Sequence, residues 1–411
     1  MKPTLSLLIA MLCYGVSYAQ PVKIYLSPKA AGGNPQSTFI DSLKFYPLQT
    51  DKKTELGNYS NVIPTNDYFL VQQWSDRSML VYEKNGRLVH KISYKKLGEN
   101  ADPRYDPSKQ QLIFFYENKN YALTENDRID IKTNFSDKKN RKYYRKYIID
   151  LKDTSFSFKK AAPTAFDILN AYNLKGDYYC TYEIAVNKNY KDTTDYEVKI
   201  YKDTKFLKGF FPYNKQKEVR YLYARYAGAV TQESPVPDVF YISRPYVDTI
   251  YTLSNNVVAP KYQLILPMEN SIPKHFFETP FKNATERENF ERNNGWLLRQ
   301  IHLNYETDRY MLFDIRFFSN YGEYIYDKKL NTAFNLKKIK PDSTTYFLPL
   351  LDDYGSKHNN RFYKLLNAEQ LKKAYEQNKG KLQELPVALQ QSLKDSTHPT
   401  PIIVEYTFKT N

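Results

Sequence analysis

Apolar and polar residues alternate with period two along much of the chain, most plainly from Ser78 to Ser93, where two β-prone runs flank Asn85-Gly86. Side chains on a strand point alternately to opposite faces, so this pattern predicts strands. Asn-Gly supplies the two positive φ angles of a tight hairpin turn. Further pairs read the same way: Gln111–Tyr116 with Tyr121–Leu123 around Asn118-Lys119-Asn120, and Ala171–Leu174 with Tyr178–Val186 around Gly176-Asp177. Trp296–Tyr305 with Tyr310–Phe318 and Tyr324–Tyr326 with Ala333–Leu336 complete the set. Two stretches break the period and predict helices near 283–293 and 367–394. Asn283 and Glu286 suit a capping box ahead of Asn293-Asn294-Gly295. Leu371, Ala374 and Tyr375 share one helical face, and beyond Gly380 a helix opening at Pro386 carries Leu389 and Leu393 inward.

Many short strands with few helices between them argue for an antiparallel all-β fold rather than βαβ units. A single sandwich domain is usually about 100 residues, and no Pro/Gly/Ser-rich linker divides this chain, so one repeating β architecture fits its length better. Blades of roughly 40 to 50 residues allow six to eight of them.

The first residues set the compartment. Lys2, an apolar run from Leu5 to Val16, and small residues at Ser17 and Ala19 read as a cleaved secretory leader over residues 1–19, leaving 20–411 as one domain. The run is shorter than the roughly 20 residues of a membrane span, so a soluble periplasmic or extracellular protein with no transmembrane segment is expected. Cys13 falls inside the leader, and Ala10, Met11 and Leu12 before it do not resemble a lipoprotein cleavage box. Cys180 is then the one remaining thiol, which rules out an internal disulfide and places the burden of stability on a large core. The net charge of +15 falls to about +14 without Lys2 and favours anionic partners. Outside the cytoplasm these are acidic polysaccharide, lipid head groups or acidic protein surfaces ahead of nucleic acid.

Catalytic and cofactor signatures are sparse. The five histidines, His90, His275, His302, His358 and His398, stand far apart in no metal-binding spacing, and no EF-hand rhythm occurs, so no metal or other cofactor is expected. Asp352-Asp353, the nearest acidic pair, reads as solvated. Cys180 lies in an aromatic strand and reads as a buried inert thiol; no Gly-x-Ser-x-Gly elbow is present, and Ala31-Gly-Gly-Asn34 precedes no strand-to-helix switch. Among 45 acidic residues the sequence selects no glycosidase pair.

Several segments, taken in order, resemble the six-bladed β-propeller proteins exported by bacteria. Leu43-Lys-Phe-Tyr-Pro-Leu-Gln-Thr50 is similar to that family's opening strand, and Asp67–Val71, Met79–Tyr82 and Asn85–Ile92 to its first blade. Arg244-Pro-Tyr-Val-Asp-Thr-Ile-Tyr251 with Ala259–Leu264, then Tyr324–Lys328 and Pro399–Lys409, resemble later strands. The resemblance implies six blades and a ring sealed where the opening strand at Leu43–Leu48 joins the terminal one, which leaves no exposed sheet edge at the closure.

The densest charge feature is Lys138, Lys139, Arg141, Lys142, Tyr143, Tyr144, Arg145, Lys146 and Tyr147, six cations interleaved with three tyrosines. Cations attract polyanions and exposed rings stack on sugars, which makes this stretch the candidate binding surface. Its plainer reading is a basic turn followed by an ordinary strand. The function expected is an envelope binding or scaffold propeller recognising a polymer, a glycan or a protein. The alternative is a polysaccharide hydrolase or lyase with its site in a central pocket.

Overall fold

A computed structural model describes residues 20–50, 56, 60–97, 103–124, 127–128, 131, 138–164, 171–175, 178–181, 194–202, 205–214, 230–274, 276, 281–282, 284–393 and 400–410. The chain opens with β1 (Val22–Tyr25) and β2 (Ile40–Pro47). Blade 1 follows as β3 (Ser60–Pro64), β4 (Tyr68–Gln73), β5 (Ser78–Glu83) and β6 (Leu88–Ser93), and blade 2 as β7 (Pro103–Asp106), β8 (Gln111–Glu117), β9 (Tyr144–Asp150) and β10 (Lys159–Ala161). Blade 3 holds β11 (Ala171–Lys175), β12 (Tyr178–Thr181), β13 (Thr194–Lys202) and β14 (Lys205–Asn214). Blade 4 holds β15 (Val230–Glu233), β16 (Phe240–Ser243), β17 (Thr249–Ser254) and β18 (Val257–Ile265). Blade 5 is β19 (Leu298–Glu306), β20 (Tyr310–Phe317), β21 (Tyr321–Asp327) and β22 (Thr332–Asn335); blade 6 begins with β23 (Ser356–His358) and β24 (Arg361–Leu366) and ends with β25 (Ile402–Phe408).

Each blade is an antiparallel meander, and two carry strands from the chain's start: β1 adds in parallel to β18, and β2 pairs with β25 along its length. Blade 6 is therefore built from both ends of the described chain. The fold is a six-bladed β-propeller.

Packing between blades explains why the middle strands read as continuous apolar runs. In blade 1, Phe69, Val71, Leu80 and Tyr82 face blade 6, where they meet Tyr46, Tyr363 and Ile403. The alternate residues Leu70, Met79 and Val81 face blade 2 and meet Leu112, Phe114 and Ile149. Both faces of this sheet are thus buried, and each fully buried large side chain contributes about 1.5–3 kcal/mol. The same two-sided arrangement joins blades 3 and 4 through Cys180, Ile200 and Ile242, blades 4 and 5 through Ile250 and Phe313, and blades 5 and 6 through Leu312 and Val404.

Helices sit where the period breaks. Between blades 4 and 5 lies α1 (Ala284–Asn293), whose Glu286 accepts the Lys282 N–H at 2.5 Å and whose Phe290 packs on Phe276 and Phe318. The expected cap at Asn283 lies outside the described residues. Between β24 and β25 lie α2 (Ala368–Asn378) and α3 (Val387–Leu393). Asn367 and Gln370 form a reciprocal capping box, and Leu371, Ala374, Leu389 and Leu393 enter the blade 5–6 core.

Three expectations need correction or restriction. Tyr121–Leu123 is not a strand; β8 pairs instead with β9. The Asn118 turn holds Tyr121 against the Tyr143 ring, so that short run is spent covering blade 2 rather than extending it. Asp352 and Asp353 are not merely solvated, because both carboxylates hold the buried Lys364 ammonium at 2.5 Å. Residues 182–186 of the third hairpin lie outside the described residues.

Candidate functional site

The seam between blades 6 and 1 departs from the others. On the blade 6 sheet, Ile402, Val404 and Phe408 face blade 5, which turns Ile403 and Glu405 toward blade 1. Register sets Lys44 of β2 and Tyr363 of β24 on either side of Glu405, so a cation, a carboxylate and a phenol form one row across three strands. Glu405 is buried and accepts from Tyr46 at 2.8 Å, from Arg361 at 2.5 Å, and from Tyr363. Burial alone raises its carboxyl pKa, but the hydrogen bonds from Tyr46, Arg361 and Tyr363 outweigh it and hold the group below its ordinary value. Both phenols move the other way, raised first by burial and then by their contact with Glu405.

Blade 1 supplies Lys84 through the hairpin read from Asn85-Gly86. Gly86 has φ +86°, and its carbonyl accepts the Gln49 N–H at 2.9 Å. A Cβ there would fall 1.9 Å from the Pro47 carbonyl oxygen, so only glycine lets the turn dock against the end of β2. The docked turn places the Lys84 ammonium 3.9 Å from the Phe69 ring centroid and 5.6 Å from that of Tyr363. Burial pushes the Lys84 amine down to about 8; the charges of Glu405 and Asp67 act against this, and Lys44 adds to it.

The rim comes from two further turns. Asn359 and Asn360 both have positive φ and close the β23–β24 hairpin, presenting His358 and Arg361 on either side. The His358 Nε2 lies 2.9 Å from Asn66 Oδ1, on the β3–β4 turn, and 3.0 Å from Asn359 Nδ2. Burial, then the nearby Lys84, lowers the His358 pKa, which favours the neutral imidazole. These groups line an open cavity of about 480 Å³. Among the described residues its walls carry Lys44, Lys84 and Arg361 against the carboxylate of Glu405, an excess of two positive charges.

Two other seams pair charges across their blades. Glu197 and Arg244 pair in two hydrogen bonds of 2.7 and 2.8 Å between blades 3 and 4. Between blades 4 and 5, Glu306 accepts from Tyr241, Tyr262 and Lys328, the same two-tyrosine, one-cation shell as Glu405. A smaller cavity of about 220 Å³ lies beside Leu174, Phe240 and Asn255, with no cation among the described residues that line it.

The basic stretch lies elsewhere, on blade 2. Lys138–Tyr143 form a 3-10 turn, with Lys138, Lys139 and Lys142 exposed and Arg141 partly covered; Tyr144, Arg145, Lys146 and Tyr147 enter β9. The tyrosines are engaged within the blade. Tyr144 stacks on Phe115 at 4.9 Å, Tyr147 on Tyr116 at 6.4 Å, and Tyr143 packs edge-on against Tyr121. The structure therefore gathers the cations but not the free rings, and it brings none of these residues to the seam. Sequence reading did not anticipate the seam residues. Two signals could have pointed to them: a glutamate inside the apolar strand Ile402–Phe408, and the Asn359-Asn360 turn between His358 and Arg361.

Among the described residues no group of three His, Cys, Asp or Glu side chains is placed to hold a metal, and no helix is long and apolar enough to cross a membrane. Residues 20–99 match the family model DUF5128, described as a 6-bladed β-propeller. No curated protein matches the chain significantly. Among solved structures, the chain is similar to a protein of Bacteroides fragilis NCTC 9343 described as exported. The identity is 14% and the TM-score 0.53, over 95% of this chain and 100% of that one. It is also similar to a member of the DUF4221 family from Bacteroides vulgatus ATCC 8482, at 11% identity and TM-score 0.42 over 90% of this chain and 97% of that one.

Proposed function

We propose that this chain is an exported binding protein of the cell envelope, without catalytic activity, that recognises an acidic polymer through the seam between blades 6 and 1. The observation that carries the reading is the cavity there, whose walls hold two more cations than carboxylates. Ligand pockets usually fall in the range of about 300–1,000 Å³, which this volume meets. The cationic chain as a whole would draw polyanions toward the surface, and a propeller offers rigid strands from which turns project recognition groups. Residues 1–19 act in this reading as a cleaved leader, so the exported protein begins at Gln20.

Screening the purified protein against neutral and acidic glycans, scoring both retention and released products, tests the proposal. Retention of acidic glycans without product release is expected; release of fragments would overturn it.

One observation favours a catalytic reading. Asp314 and Glu323 are cross-strand neighbours in blade 5, with His302 Nδ1 3.2 Å from Asp314, and the Glu323 carboxyl pKa is raised by burial and by the charges of Asp314 and Asp353. A carboxyl with a raised pKa beside a second carboxylate is an arrangement that acid–base work uses. Against it, Asp314 and His302 are only 5% and 8% exposed, and Asp314 is held by Asn304 at 2.6 Å, which keeps both from substrate. Glu323→Gln would abolish any released product on the catalytic reading and change nothing on the binding one.

A further inference from the structure

We propose that the seam captures a carboxylate of its ligand, on an acidic sugar of the uronate type, and that the Lys84 amine takes up a proton from solvent as the carboxylate arrives. This rests on the seam being the recognition site and deepens it to a ligand class.

Three observations lead there. First, the carboxylate already present is fully occupied: Glu405 is shared among Tyr46, Tyr363 and Arg361. Second, Lys84 sits against the Phe69 and Tyr363 rings, in surroundings dry enough to disfavour its own charge. A partly buried ammonium is stable only when its lost hydration is replaced, and an incoming anion supplies what the rings supply incompletely. Third, the neutral groups at the rim, Asn66, Asn359 and His358, offer amide and imidazole partners that suit sugar hydroxyls beside a carboxylate. A uronate unites both kinds of group in one residue.

The proton linkage follows from everything that faces Lys84. Lys44 and Tyr46 of β2, Asp67 of the turn before β4, His358 of β23, Arg361 and Tyr363 of β24, and Glu405 of β25 make up its charged and titratable surroundings. Burial lowers the amine to about 8 in the free protein. The ligand carboxylate is ionised throughout pH 6 to 9, so its arrival favours the ammonium form. Binding at pH 8 then draws in about half a proton through Lys84, binding at pH 6 almost none through that amine, and affinity declines as pH rises above 8.

Calorimetric titration with an oligogalacturonate, in two buffers of different ionisation enthalpy at pH 6 and pH 8, reads the proton count directly. Uptake of about half a proton at pH 8 is expected for the wild type. Lys84→Arg should bind with no uptake, and Lys84→Met should bind at least about tenfold more weakly. Binding at pH 8 without proton uptake, or unchanged affinity in Lys84→Met, overturns the proposal. Retention of dextran sulfate, which carries no carboxylate, but not of oligogalacturonate, lost in Lys84→Met, would overturn the carboxylate assignment alone and leave the seam as the recognition site. Failure to retain any acidic glycan would remove that site along with it.

Discussion

Replacing Glu405 with glutamine should make the protein less stable and at the same time a better binder of anions. The amide keeps the shape of the side chain and can still accept hydrogen bonds, but it removes the one negative charge in the cavity wall. Hydrogen bonds to a charged acceptor contribute about 1 kcal/mol more than neutral ones, so losing the charge beneath Tyr46 and Tyr363 costs about 2 kcal/mol; the exposed Arg361 is given no share. For a folded chain of about 390 residues the unfolding entropy is roughly 0.8 kcal/mol per degree, so Tm should fall by about 2 to 3 °C at pH 7. The pH dependence carries a definite sign. The folded-state pKa of Glu405 is lowered, so its contribution is present above the unfolded-state value and is lost as pH falls through the folded one. The Tm gap between wild type and Glu405→Gln should therefore close as the solution is taken below pH 4.5. Binding moves the opposite way: the excess in the cavity rises from two positive charges to three. At pH 6, where Lys84 is protonated, calorimetry should find tighter binding of oligogalacturonate. A variant with lower Tm and weaker binding would refute the reasoning, because general loosening of the seam explains that pair of results without any electrostatic role for the cavity.

Other perturbations test the frame around the site. Gly86→Ala forces a side chain into left-handed backbone and against the Pro47 carbonyl, and should cost about 2 kcal/mol or more by thermal melting while weakening acidic-glycan retention. Phe362→Ala removes a ring packed 4.6 Å from Tyr305 and 4.8 Å from Phe408, and should lower the unfolding free energy by about 3 to 5 kcal/mol in denaturant titration. The combined change of Lys138, Lys139 and Lys142 to alanine should lower stability by no more than about 1–2 kcal/mol, part of it from the Lys142 contacts with the Tyr121 and Tyr143 rings, and leave oligogalacturonate affinity within about twofold. Loss of binding in that variant would move the site from the seam to blade 2.

How much of this was legible in the sequence depends on distance along the chain. The Asn85-Gly86 hairpin, blade 5 and the helices after Asn367 are local patterns and can be read directly, because period, turn chemistry and caps act over a few residues, although of the two positive φ angles expected at Asn85-Gly86 only Gly86 has one. Tyr121–Leu123 misled because three apolar residues after a polar turn look like a return strand, whereas the true partner, Tyr144–Asp150, lies beyond a long insertion. The seam was invisible for a stronger reason. Its residues come from positions 44 to 84 and 358 to 405, and nothing local announces that blade 6 is shared between the two ends of the chain. Lysine density drew attention to Lys138–Tyr147, but density of charge does not distinguish a solvated edge from a cavity. In blade 2 the tyrosines stack on neighbouring strands; at the seam two tyrosines instead hold a carboxylate and leave Lys84 to the ligand.

The central claim is that an acidic ligand enters between the last and first blades. A crystal structure of the protein grown with oligogalacturonate tests it most directly. The account predicts a sugar carboxylate within hydrogen-bonding distance of Lys84 Nζ, with ring hydroxyls against Asn66 or Asn359. Sugar ordered only along Lys138–Tyr147, with the seam unchanged, would contradict it.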